Sequence, residues 1–182
     1  MTKIVTYLAL TSAAVVALTM APTVATGYAP QDDHGATLAV HSALRDLRPG
    51  IQDPTDGARS ELRMTVNDRT ATFKLTLRGL STDAADRTFG AHLHRGPCVP
   101  GDGPAALGHY NVDVIEQRTP VVVSPDTEVW LDFTVSDDGT ARSRATVPFA
   151  PGAGDRSIVI HRDPTDASGT AGPRLACLPV VW

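Results

Sequence analysis

Between residues 59 and 149, apolar side chains recur at every second position, and this restricts the fold more than any other feature of the chain. Leu62, Met64 and Val66 form one run and Phe73, Leu75 and Leu77 a second. Val129, Leu131, Phe133 and Val135 form a third, and Ala145, Val147 and Phe149 a fourth. In extended backbone, successive side chains point to opposite faces, so each run is a strand with one buried and one wet face. Asn67-Asp68 separates the first two runs and Asp137-Asp138-Gly139 the last two. Such residues accept the backbone of a tight hairpin. No stretch of ten or more residues after the N-terminal region shows a convincing 3.6-residue period. The pattern predicts an all-β chain of about eight antiparallel strands in a sandwich or Greek-key barrel. The 182 residues suffice for one such domain. "ATLAVHSAL" within residues 30–57 suits a first strand or a helical turn, so that segment stays undecided ahead of a barrel domain over 58–182.

Residues 1–29 read as an export signal. Lys3 supplies the positive start, Ile4 to Met20 is almost wholly apolar, and small residues follow at Ala25 and Ala29. The alternative, a membrane anchor, is disfavoured because the apolar run is short and no basic residue follows it. The expected location is secreted or extracytoplasmic, in the cell envelope, with no stable membrane insertion after cleavage. The formal net charge is -4, and Lys3 is the only charge in residues 1–29, so cleavage there leaves -5. Nucleic acid is not an expected partner, since a polyanion requires a basic stripe that an acidic chain is not expected to offer. Cys98 and Cys177 are the only cysteines. In an exported chain they read as one disulfide, with two free thiols as the less favoured alternative.

Four of the six histidines suggest a centre. His92 and His94 stand two apart at a strand end and so project from one face. His109 follows Gly108 in a loop rich in Gly, Pro and Ala that can fold back over a site. His161 ends the apolar strand "SIVIH" on the face of Val159, opposite Ile158 and Ile160. Four imidazoles without a thiolate suit copper(II) better than calcium or magnesium, with zinc chemically possible. His34 and His41 lack such spacing and are expected to be exposed.

"GLSTDAADRTFGAHLHRGPC", "ALGHYN", "SIVIH" and "GTAGPRLACLPV" occur in the order of the copper-binding and C-terminal arginine-cysteine signatures of the copper/zinc superoxide dismutases, which this chain resembles from about Arg59 to Trp182. Cys98 and Thr170 stand where that family usually has other residues. The resemblance implies an eight-stranded Greek-key β-barrel with one copper per chain on His92, His94, His109 and His161. It also implies superoxide as the small-molecule substrate, Arg174 holding it beside the metal, and a Cys98–Cys177 disulfide. The activity implied is dismutation to oxygen and hydrogen peroxide by Cu(II)/Cu(I) cycling, in a monomer or homodimer.

The departures from the family are equally specific. No histidine lies between His109 and His161, so the family's zinc site cannot be assembled, and zinc is not expected. Arg174 follows His161 by only thirteen positions, which shortens the loop between them. Both features are similar to the copper-only branch of the family. A ligand histidine usually gives its other N–H to a carboxylate or carbonyl. Asp113 and Glu116 are the nearest acids after His109, while Asp163 and Asp166 follow His161; all four read first as surface charges. Arg95 and Arg162 each follow a candidate ligand and so should face away from it. The rival to a dismutase is a non-enzymatic copper-binding protein on the same fold, which has no use for Arg174.

Overall fold

The computed structural model describes residues 35–182. The expected export signal and His34 lie outside them. Ten strands follow in order: β1 (Ala36–Ala43), β2 (Arg45–Asp46), β3 (Arg59–Asn67), β4 (Thr70–Arg78), β5 (Thr88–Phe89), β6 (Ala91–His94), β7 (Phe133–Thr134), β8 (Ala141–Val147), β9 (Asp155–His161) and β10 (Arg174–Val181). A single four-residue helix, α1 (Val112–Ile115), is the only α-helix among the described residues. No helix there is long and apolar enough to cross a membrane.

Two four-stranded antiparallel sheets are ordered β1-β3-β4-β8 and β2-β10-β9-β6, with β5 and β7 as a short extra pair. The neighbours β4–β8 and β6–β9 are distant in sequence, as Greek-key crossovers require. The segment whose conformation the sequence left open supplies β1 and β2, and β1 pairs with β3 along its full length. Tertiary pairing decides there between two local conformations of similar propensity.

The alternating residues face one another between the sheets. Leu62, Phe73, Leu77, Leu93, Ile158, Ile160 and Leu178 are almost completely buried in one cluster. Each contributes roughly 1.5–3 kcal/mol by leaving water. The third alternating run behaves differently from the other three. Val129, Leu131, Phe133 and Val135 are buried as their pattern predicts, but only Phe133–Thr134 is laddered. The rest runs beside β6 through the isolated His92–Trp130 bridge and single bonds such as Leu131 N–H to the Ala91 carbonyl. The Asp132 carboxylate takes the Ala91 amide, so a side chain stands where a ladder bond would form.

Candidate metal centre

The face of β6 and β9 turned away from the core carries the candidate site. On β6, Ala91 and Leu93 enter the core while His92 and His94 point outward. On β9, Ile158 and Ile160 enter the core, whereas Val159 packs outside with Leu47, Ala106, Cys98 and Cys177. His161 shares the outward side, as the strand period requires. Strand pairing sets His92 opposite Val159 and His94 opposite Ser157.

The fourth ring arrives on a folded-back loop. Gly96 N–H bonds the Ala106 carbonyl, Arg95 N–H the Gly108 carbonyl and Tyr110 N–H the Leu93 carbonyl, which lays residues 106–110 along β6. A Cβ on Gly96 would come within 2.3 Å of the Ala105 carbonyl oxygen, so only glycine permits this approach. His109 is thereby bridged to His94. Cys98 and Cys177 form a disulfide, tying the start of this loop to β10.

One nitrogen from each of His92, His94, His109 and His161 lies within 4.8 Å of the others. The remaining nitrogens fix the tautomers. His94 Nδ1–H donates to the Leu107 carbonyl at 3.0 Å, and His161 Nδ1–H to the Gly172 carbonyl at 3.0 Å. Carbonyls only accept, so both Nδ1 atoms carry the proton. His109 Nδ1–H donates to Glu128 Oε2 at 2.8 Å. Thr165 gives its hydroxyl proton to Asp132 at 2.6 Å, and its oxygen is therefore free to accept from His92 Nε2–H at 2.6 Å. Bare lone pairs remain at His92 Nδ1 and at Nε2 of His94, His109 and His161.

These lone pairs face inward without a donor. His92 Nδ1 is buried and has no hydrogen-bond partner. Nε2 of His94 and of His161 stand 3.3 Å apart with no proton between them, an arrangement that repels unless a cation lies there. Charge gives the same result. Burial drives His92 down to about 2, with the neighbouring His109, His161 and His94 adding to it. Burial also drives His94 to about 2, helped by His109 and Arg174. Burial takes His161 to about 4 against the opposing Gly172 contact, with His109 and Arg174 lowering it further. His92, His94 and His161 therefore stay neutral at pH 7, the form in which imidazole binds a metal. The donor set therefore fits a four-nitrogen metal ion.

Glu128, which sequence reasoning did not single out, anchors the site. Oε2 accepts from His109 and from Trp130 Nε1, and Oε1 accepts from Asn111 Nδ2. Burial would raise this carboxyl, but the three hydrogen bonds outweigh it and hold it below its ordinary value. None of the four acids weighed after His109 and His161 supports a ring: Glu116 is an exposed charge paired with Arg118, as expected, whereas Asp113 is not the surface charge expected but is buried, because it accepts from Arg118 and the Val122 amide. Asp163 pairs with Arg162, which is exposed, and Asp166 caps its own turn at Ser168 and Thr170. His41 is exposed on β1. The overlooked signal was the other face of the third run: Glu128, Trp130 and Asp132 alternate with Val129, Leu131 and Phe133, Glu128 holding His109, Trp130 holding Glu128, and Asp132 holding His92 through Thr165.

Arg174 begins β10 opposite His161 in the ladder. Its guanidinium donates to the carbonyls of Gly103 and Leu107. Leu107 therefore serves His94 and Arg174 from one oxygen, which fixes the cation at the edge of the histidine cluster. An open recess of about 590 Å³ lies against Arg174, Gly103, Pro104, Leu107 and Gly108.

No protein-family model matches the chain, and no curated protein matches it in sequence. Solved structures do match in fold. The chain is similar to the clock protein EA4 at 17% identity and a TM-score of 0.56, covering 86% of this chain and 100% of that one. It is similar also to a double mutant of a SOD-like protein from Bacillus subtilis at 18% identity and a TM-score of 0.55, covering 78% of this chain and 97% of that one. At these identities the likeness is one of fold, and the fold of this chain is SOD-like.

Proposed function

We propose that this chain is an exported, copper-dependent superoxide dismutase holding one copper ion on His92, His94, His109 and His161 and no zinc. The observation that carries this reading is the pairing of four inward lone pairs with a guanidinium fastened to the same backbone oxygen as His94. Four imidazoles without carboxylate or thiolate favour copper over zinc, calcium or magnesium. The SOD-like fold is consistent with it.

When bound, copper supplies the one-electron chemistry, alternating between Cu(II) and Cu(I) as superoxide becomes oxygen and hydrogen peroxide. The chain supplies the rest. Arg174 gives a fixed positive charge at the open recess, where an anion can pair with it at little reorganisation cost. His109 is the one ring of the four that is not fully buried, so it is the ring that solvent protons reach. Glu128 holds Nδ1–H, which confines any proton uptake by His109 to Nε2. The Glu128 carboxylate also occupies the nitrogen that a second metal would need, which adds to the lack of a histidine between His109 and His161 as a ground for expecting no zinc. Export rests on the apolar N-terminal run and on the disulfide, a bond characteristic of oxidising compartments.

The test measures copper, zinc and superoxide consumption on the same preparations of parent and Arg174→Glu. The parent is expected to contain one copper per chain and to consume superoxide. The variant is expected to retain copper, because Arg174 is not a ligand. Its second-order rate constant should fall roughly ten-fold or more, the ~1.4 kcal/mol of one lost charge-assisted contact. Added salt should slow the parent and slow the variant less. A variant that keeps its copper and equals the parent at low salt removes the dismutase reading and leaves the non-enzymatic copper-binding protein.

A further inference from the structure

The outer face of the β1-β3-β4-β8 sheet gathers six cations in cross-strand register. Arg63, Lys74 and Arg144 stand opposite one another on β3, β4 and β8. Arg59 stands opposite Arg78, and Arg142 opposite Thr76, in the row of His41 and Glu61. All six cations are exposed, and none belongs to an ion pair among the described residues. Glu61 is the only acid at an outward position of these strands among them. Like charges opposite one another on strands about 4.8 Å apart repel, so the rows work against the fold's own stability. The chain is nonetheless acidic overall. Net charge had given no reason to expect a basic stripe; the structure corrects this, because the period that buries Leu62, Met64, Phe73 and Leu75 sets arginine and lysine between them.

We propose that this face docks a linear anionic polysaccharide of the cell exterior. The sheet holds the cations on a fixed lattice, at about 4.8 Å across strands and roughly 7 Å along them, which suits an extended chain with repeated sulfate or carboxylate groups. A recess of about 230 Å³ between Arg59, Arg78, His41 and Glu61 gives one such group a seat. No Phe, Tyr or Trp stands at an outward position of these strands among the described residues, so the face lacks the stacking platforms used for single-stranded nucleic acid. Nor does it present the large apolar side chains that seat a protein in a bilayer. The disulfide fits an oxidising compartment such as the cell exterior, where such a polysaccharide would be met. The histidine cluster lies on the outer side of the other sheet, so docking leaves it open.

The test compares retention of the purified protein on dextran sulfate and on uncharged dextran, with single-stranded DNA and anionic phospholipid vesicles as competitors. Two triple variants accompany the parent: Arg63→Gln/Lys74→Gln/Arg144→Gln on the face, and Arg87→Gln/Arg118→Gln/Arg162→Gln off it. The parent should bind dextran sulfate at low salt and not dextran. The face variant should bind at least about ten-fold more weakly, with the slope of log affinity against log salt reduced by roughly 2 to 3, while its unfolding midpoint is unchanged or raised. The off-face variant should bind like the parent. The proposal is overturned by absence of binding at low salt, by equal losses in the two variants, or by tighter binding to DNA or vesicles than to dextran sulfate.

Discussion

A histidine is oriented by the nitrogen that does not face the centre, and Glu128 is the most heavily used partner in that role. Three donors converge on its two oxygens. A glutamine there has one acceptor oxygen, and its NH2 group must meet a donor. Glu128→Gln should therefore cost about 1–3 kcal/mol of stability through one unmatched buried donor. It should also weaken copper binding by roughly 10- to 100-fold. Denaturant unfolding and a copper competition titration read the two effects; a variant unchanged in both would mean that His109 is held by the loop alone. His92, His94 and His161 were legible because strand period places side chains on a face, and His109 because it follows Gly108 in a loop of small residues and lies in a recognisable motif. Glu128 was not, because its contact with His109 spans 19 residues and depends on two loops meeting, which no local pattern encodes.

Within elements, one alternation carried two messages of which only the apolar one was read. The run from Glu128 to Phe133 buries Val129, Leu131 and Phe133 in the core and presents Glu128, Trp130 and Asp132 to the centre. Strand positions elsewhere were legible for the same reason, whereas β1 needed its pairing with β3 to be recognised. The loop that carries His109 depends on a single position. A methyl group at Gly96 would meet the Ala105 carbonyl oxygen at 2.3 Å and the Leu107 side chain at 2.8 Å. Backbone cannot yield there without lifting Leu107, whose carbonyl holds both His94 and Arg174. Gly96→Ala should lower stability by about 1–3 kcal/mol, as overpacking typically does. Its copper signal in electron paramagnetic resonance should shift away from that of the parent. An unshifted spectrum would show that the loop's path is not what sets the ligand geometry.

Across the whole molecule, the sandwich separates its polar groups by sheet: a basic face on one and a histidine cluster on the other, with an apolar core between them. Keeping His92, His94 and His161 neutral side by side has a consequence for the metal-free protein as a whole. His92 and His94 are held at about 2 and His161 at about 4, all below the ordinary 6.5. The unfolded chain therefore takes up protons that the folded chain refuses, and stability must fall with pH. The contribution is complete above about pH 6.5. It declines below that value, down to about 4 for His161 and further for the other two. Each ring contributes a slope of about 1.4 kcal/mol per pH unit, so the three together approach about 4 kcal/mol per unit in the steepest range. Carboxylates of ordinary value near 4 titrate mainly below pH 5, so the interval from pH 7 to pH 5 isolates the histidines. The guanidinium midpoint of metal-free protein should drop steeply across that interval, by an amount comparable to a large part of a typical domain's stability. His161→Gln should flatten the slope by about one proton. A parent midpoint that stays level from pH 7 to pH 5 would mean that the rings accept protons in the folded state, and that the inward lone pairs are not what burial and tautomer make them.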